Sequence, residues 1–326
     1  MRTVLTLSIL ILILCVGCLQ TVPKPDNGEL EEPIVTPDFN RPEPLVEPLV
    51  PRERLPEDAT EGEPDAMEET AGAISGIFGK YAAEVVPLPP MDDLTTQIDE
   101  YIARMGQSLE SLDGSPRYVA DASDIVRDAN ALILISLAVG LSEADSKYKN
   151  SASHIIEAAQ NLAAATTLEA GQKAYEALKA SLANTEAGKP LSWSDRVARL
   201  SPAMKALPNL SSAVKRVTDT ERKLNTSLDR QSQRVLGQIA AMAAISQGSI
   251  PNVVETTKPD AVEEWKKYCE EFRDAAIRVN VAARQYAQDK ADEKEPDYSI
   301  FSATFRAMTV SCDDCHRAFY PSAVGM

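Results

Sequence analysis

The chain has 326 residues, a formal net charge of −16 at pH 7 and a pI near 4.7, so it is strongly acidic. This charge makes nucleic acids and anionic lipid surfaces poor partners. The chain has only five cysteines and two histidines, so few side chains of these types can ligate metals or form disulfide bonds.

The first 17 residues predict an export signal. Arg2 precedes an apolar run over residues 4–14, which is shorter than the roughly 20 residues of a membrane-spanning helix. The run ends at Leu14-Cys15-Val16-Gly17-Cys18, which resembles a bacterial lipobox and implies that Cys18 carries a lipid. An ordinary secretory signal is the alternative. Both predict an exported chain, and the lipobox adds a lipid anchor on the periplasmic side of a bacterial membrane.

Residues 18–90 are predicted to form a disordered tether. Residues 19–90 hold 13 of the 21 prolines and far more acidic than basic side chains. Such a composition favours neither helices nor sheets. Residues 71–86 are more apolar, and two interpretations of them stay open. They form either a short helix that docks on the globular part or on lipid, or a partly ordered lead-in.

From residue 91 onward the sequence predicts an all-α fold. Apolar residues recur at helical spacing, and no segment alternates as a strand does. A first domain over residues 91–190 is predicted to contain four helices, which cover residues 92–112, 118–141, 142–165 and 168–183. Gly188-Lys189-Pro190 ends this domain.

A second domain over residues 200–326 repeats this plan. Its helices are predicted over residues 209–228, 230–247, 260–290 and 297–320, and the first of them follows the stop at Leu207-Pro208. Ser111-Leu112-Asp113 matches Ser227-Leu228-Asp229, which indicates a weak internal repeat. The sequence therefore predicts two tandem antiparallel four-helix bundles after the tether.

The last predicted helix carries Cys312-Asp313-Asp314-Cys315-His316, the attachment signature of c-type haem. Cys312 and Cys315 lie three residues apart, on one face of a helix, and can both bond one edge of a porphyrin. His316 follows directly and can ligate the iron. Two ordinary cysteines beside a histidine are one alternative. Half a zinc site is another, although zinc requires about four ligands.

The remaining cysteine and histidine fit this interpretation. In this interpretation Cys15 belongs to the signal, Cys18 carries the lipid, and Cys312 and Cys315 bind the haem. Cys269 is the remaining cysteine, and it is predicted to be a core residue. In the first domain, the repeat places Leu182, Thr185 and Glu186 where the haem motif stands in the second. His154, the other histidine, lies in that first domain. The sequence therefore predicts one covalent haem c per chain.

A four-helix bundle with Cys312, Cys315 and His316 on its last helix resembles the class II c-type cytochromes, the cytochrome c prime family. The resemblance covers the second domain, with the first as a haemless duplicate. In this family the residue opposite the proximal histidine comes from near the start of the first helix, which implies Met204 as the distal iron ligand. If Met204 does not bind, Leu210, Val214 or Val217 would wall an open site.

The resemblance implies a membrane-anchored electron carrier rather than an enzyme. A peroxidase would need a distal acid–base group, and the second domain has no second histidine. The alternative is a haem protein that binds NO or CO at an open iron. The acidic charge favours redox partners with a basic docking face. Because the family often dimerises through its first two helices, the two domains are expected to form a pseudo-dimer within one chain.

Overall fold

The computed structural model describes residues 86–112, 117–186 and 188–321. Within these ranges the chain contains helices and no β-strand, which confirms the predicted all-α class. The export signal, Cys18 and the tether up to residue 85 lie outside the described residues. None of the helices described is both long enough and apolar enough to cross a membrane.

The described part of the chain contains nine α-helices. In chain order they are α1 (Met91–Ser111), α2 (Tyr118–Asp121), α3 (Ser123–Leu141), α4 (Ala152–Ala163), α5 (Leu168–Ser181), α6 (Leu200–Thr218), α7 (Glu221–Gly248), α8 (Val262–Ala291) and α9 (Tyr298–Phe319). A short 3₁₀-helix, Ile250–Glu255, lies between α7 and α8.

Helices α1, α3, α4 and α5 pack around one another, since α1 contacts α3 and α5, and α4 contacts the same two helices. The packing face of α1 carries Leu94, Ile98, Tyr101 and Met105 at intervals of three or four residues, and all four are fully buried. This spacing aligns them along one side of the helix.

Helices α6, α7, α8 and α9 pack in chain order, each against the next. The middle of α3, residues 128–139, and the second half of α7, residues 235–248, are buried at every position. The reason is that α3 also contacts α6 and α7, and α7 also contacts α1. A helix that is covered on several sides is mostly apolar around its circumference, which explains the nearly continuous apolar run in α3.

A buried polar cluster joins α1 to α8. The carboxylate of Asp93 accepts hydrogen bonds from Asn280 Nδ2 at 2.9 Å and from Arg284 Nη2 at 2.5 Å. Gly237 on α7 lies against the same part of α1, and a β-carbon there would be 3.0 Å from the carbonyl oxygen of Asp93. Because Gly237 has no side chain, α7 can approach α1 closely.

The boundary predicted between the first two helices of the second half is wrong. Helix α6 begins at Leu200 and continues through Pro208, and α7 begins at Glu221. The missed signal is Thr220, whose hydroxyl accepts a hydrogen bond from Lys223 N and caps α7. The predicted break near residue 229 corresponds instead to a kink at Gln231, where the backbone leaves helical geometry.

Two details of the predicted repeat also differ from the structure. The third predicted helix, over residues 142–165, is shorter, because α4 spans only Ala152–Ala163. Helix α5 ends at Ser181, so the positions aligned with the haem motif, Leu182, Thr185 and Glu186, follow a helix rather than lie on one. The two halves therefore differ in helix length where their sequences align.

Candidate haem-binding site

The two cysteines and the histidine of the motif lie in the last two turns of α9. Asp297 caps the start of this helix, since its carboxylate accepts a hydrogen bond from Ser299 N at 2.8 Å, and the helix continues unbroken to Phe319. Cys312, Cys315 and His316 are all partly buried and line the same cavity. The structure thus brings together the three residues that the motif requires.

Helices α6, α7, α8 and α9 all contribute to this cavity, and nearly all of its lining is apolar. Besides the motif, it is lined by Met204 and Leu207 of α6, Ser246 of α7, Trp265, Tyr268, Cys269 and Phe272 of α8, and Tyr320 after α9. Its volume is about 30 Å³, enough for one or two water molecules.

The cavity lies between the start of α6 and the end of α9, and a hydrogen bond joins these two helices at their opposite ends. Tyr298 Oη, at the start of α9, donates to the carbonyl of Thr218, at the end of α6, at 3.1 Å. Along its length α9 packs on α8, and within the described residues it has no comparably close packing with α6. The cavity occupies the other end of this pair, near Met204 and His316.

A cluster of aromatic rings closes the end of the cavity. Phe319 is fully buried and makes edge-to-face contacts with Trp265, at 5.1 Å between ring centroids, and with Tyr268, at 6.0 Å. The indole nitrogen of Trp265 donates to the carbonyl of Ser249 at 3.1 Å. These contacts fix the last turn of α9 against α8.

Hydrogen bonds hold the backbone of this last turn in place. The carbonyl of Phe319 accepts from Thr257 Oγ1 at 2.6 Å, and Tyr320 Oη donates to the carbonyl of Glu255 at 2.9 Å. The ammonium group of Lys258 lies 5.4 Å from the centre of the Phe319 ring. Sequence reasoning missed Lys258, because nothing in the sequence connects the loop before α8 with the end of α9.

Burial changes the acidity of the two motif thiols. It raises the pKa of Cys312 to about 11, with a further contribution from the negative charge of Asp313. It raises the pKa of Cys315 to about 12, with a further contribution from Cys312. Both thiols are therefore protonated at neutral pH in the closed helical structure, and protonated thiols are poor nucleophiles.

Met204 lies on α6, partly buried, and its side chain packs against both of the protein's apolar clusters. Pro208 has no N–H group, so the carbonyl of Met204 lacks its usual partner within α6. Met242 is fully buried in the core and does not line the cavity.

Leu207 lines the cavity beside Met204, whereas Leu210, Val214 and Val217 do not. A distal wall formed by Leu210, Val214 or Val217 stays a prediction. His154 lies in the other half of the chain, where its Nε2 is 3.1 Å from the carbonyl oxygen of Glu186.

The residues of this cavity fit a haem in their chemistry. Two thiols and one imidazole share a face of one helix, a thioether comes from another, and the remaining walls are apolar. The volume of about 30 Å³ is far too small for a macrocycle. A macrocycle would therefore fit only if the helices that line the cavity move apart.

No group of three or more His, Cys, Asp or Glu side chains among the described residues is arranged to hold a bare metal ion. The chain was also compared with protein-family models, with curated proteins and with solved structures, and none of the three comparisons found a match.

Proposed function

We propose that the chain is an exported, lipid-anchored c-type cytochrome that carries one covalent haem and transfers electrons. The observation that carries this proposal is the meeting of Cys312, Cys315 and His316 with Met204 in one apolar cavity. When bound there, a haem supplies an iron that gains and loses one electron.

Each residue has a defined part in this proposal. If a haem is bound, the sulfur atoms of Cys312 and Cys315 would hold the porphyrin through thioether bonds, and the imidazole of His316 would hold the iron. The thioether of Met204 would be a second iron ligand, which would raise the reduction potential relative to an open site. The buried Trp265 and Phe319 exclude water from this side of the site.

A second candidate is a gas-binding haem protein, and the position of Leu207 favours it. Leu207 is buried and lines the cavity from the same helix as Met204, one turn away. If Leu207 rather than Met204 faces the iron, the sixth position stays open to NO or CO. Optical and electron-spin spectra of the holoprotein separate the two functions. A low-spin ferric iron with a sulfur-to-iron band supports electron transfer, and a high-spin iron that binds CO readily supports gas binding.

The same proposal assigns residues 91–190 and 200–326 to two four-helix bundles that form a pseudo-dimer. Its support is that the first two long helices of each half, α1 and α3 with α6 and α7, carry the packing between the halves. Hydrogen bonds also cross between them, since Asn130 Oδ1 accepts from Arg199 N at 2.8 Å. A monomeric mass in solution would support the pseudo-dimer.

The remaining assignments follow from the sequence. Lipidation of Cys18 would tether the protein to the periplasmic side of a membrane, and residues 19–90 would let the globular part reach partners. The net charge of −16 steers partners with a basic face towards it. Mass spectrometry of the mature N-terminus tests the lipid, and a diacylglycerol on Cys18 is the expected result.

A further inference from the structure

Three thiols, rather than the two that haem attachment uses, line the candidate site. Cys269 of α8 is 4% exposed and lines the same cavity as Cys312 and Cys315 of α9. All three are free thiols in the structure. The proposed function gives Cys269 no part, so its position beside the attachment residues requires a separate explanation.

The packing distinguishes which of the α9 cysteines is the neighbour of Cys269. Cys315 packs against the apolar cluster that contains Cys269, Trp265 and Phe319, whereas Cys312 packs against the other, larger cluster. Helices α8 and α9 are also closely packed along their length. Cys269 and Cys315 thus share a cluster as well as a cavity.

A bond between the two motif cysteines is disfavoured by the geometry of α9. Side chains three residues apart on a helix have β-carbons about 5–6 Å apart, whereas a disulfide needs about 3.5–4.5 Å. Because α9 is continuous through Cys312 and Cys315, a bond between them would distort its last turns. A bond between α8 and α9 needs the same separation, but that separation is set by the packing of the two helices and not by the fixed spacing within one helix.

We propose that Cys269 and Cys315 form a disulfide bond in the folded, haem-free chain when it meets a small disulfide oxidant. The thiolate of Cys315, the less buried of the two cysteines, attacks the oxidant slowly and forms a mixed disulfide, which Cys269 then resolves. One sulfur–sulfur bond forms in the protein and one breaks in the oxidant. The protein loses two electrons and two protons, and the oxidant leaves as two thiols.

The consequence for haem rests on the proposed function. A Cys269–Cys315 bond leaves Cys312 as the single free thiol of the motif, so two-bond attachment is blocked until the disulfide is reduced. It also ties α9 to α8 beside the cavity. Exported proteins meet oxidising conditions, so this bond is a redox switch that closes the site against haem.

The test uses the full chain produced without haem and oxidised with glutathione disulfide. Free thiols are then blocked with iodoacetamide, and peptide mapping by mass spectrometry identifies the cross-linked pair. The expected result is a Cys269–Cys315 cross-link with Cys312 alkylated. Cys312→Ser retains this cross-link, and Cys269→Ala and Cys315→Ser lose it. Circular dichroism verifies that each variant keeps its helices. A Cys312–Cys315 or Cys269–Cys312 product, or alkylation of all three thiols, overturns the proposal.

A second measurement separates this proposal from the proposed function. The wild-type chain and Cys269→Ala are exported together with the haem-attachment machinery, and covalent haem is measured in each. A higher haem content in Cys269→Ala supports the switch, and equal haem content overturns its effect on attachment. A cross-link with no haem in either chain refutes the proposed function and leaves the disulfide standing. If the wild type carries haem and the apoprotein forms no cross-link, the disulfide is refuted and the proposed function stands.

Discussion

Met204 of α6 and His316 of α9 line the same cavity, although they lie at opposite ends of the C-terminal half of the chain. Their meeting follows from antiparallel packing, because the end of α6 is bonded to the start of α9 through Thr218 and Tyr298. This arrangement brings a thioether and an imidazole to one cavity.

Replacement of Met204 tests its part as an axial ligand. In the holoprotein, Met204→Ala is expected to convert low-spin ferric iron to a high-spin form and to lower the reduction potential, because a thioether ligand is lost. Met242→Ala is the matched control, since Met242 is buried outside the cavity. The control should destabilise the fold by about 2–5 kcal/mol and leave the spectrum unchanged. An unchanged spectrum in Met204→Ala would favour the gas-binding alternative.

The motif residues were predictable from the sequence because their chemistry depends on spacing within one helix. The lining of their cavity was less predictable, since Leu207 reaches it only through tertiary packing. The misplaced start of α6 shows the physical reason. Proline usually ends a helix, but burial of Leu200, Ala203 and Leu207 on one face of α6 outweighs the single hydrogen bond lost at Pro208.

The ion pair at Asp93 should contribute to the packing of α1 on the second half of the chain. Asp93→Ala removes an acceptor of both Asn280 and Arg284. Asn280 then keeps only its bond to the carbonyl of Leu236 and the bond that it accepts from Arg284 Nε. We expect a loss of about 1–3 kcal/mol in the free energy of unfolding, measured by urea titration. Asp92→Ala, one residue away and exposed, is the control and should change stability by less than about 1 kcal/mol. Equal losses in the free energy of unfolding for Asp93→Ala and Asp92→Ala would mean that the contacts of Asp93 contribute nothing.

Phe319 should anchor the end of α9. Phe319→Ala removes a fully buried ring that contacts Trp265 and Tyr268, and we expect a loss of about 3–5 kcal/mol in the free energy of unfolding. Phe305→Ala, on the same helix but only partly buried, should cost clearly less. Chemical denaturation of both apoproteins gives the comparison, and a smaller loss for Phe319→Ala would contradict the described packing.

The motif thiols should react slowly in the folded apoprotein. Their pKa values of about 11 for Cys312 and about 12 for Cys315 imply alkylation at pH 8 that is roughly tenfold or more slower than in denaturant. Peptide-resolved alkylation against pH measures this rate. Comparable rates in the folded and denatured states would contradict the burial of these thiols.

The same shifts predict how the stability of the apoprotein depends on pH. Because the thiol pKa values are raised on folding, their contribution is present below the unfolded value of about 8.5. It is lost as the pH rises towards 11 and 12, since the unfolded chain releases these protons first. Urea titrations of the wild type and of Cys312→Ser at several pH values isolate this contribution. Above pH 9 the free energy of unfolding should fall faster with pH in the wild type than in Cys312→Ser. Equal or slower decline in the wild type would contradict this contribution.

The central claim is tested most directly by the intact mass of the exported full chain after acid denaturation, followed by peptide mapping. The account predicts one haem bonded to the peptide that contains Cys312, Cys315 and His316, and none bonded elsewhere. A chain that is exported together with the haem-attachment machinery and still carries no covalent haem would contradict it.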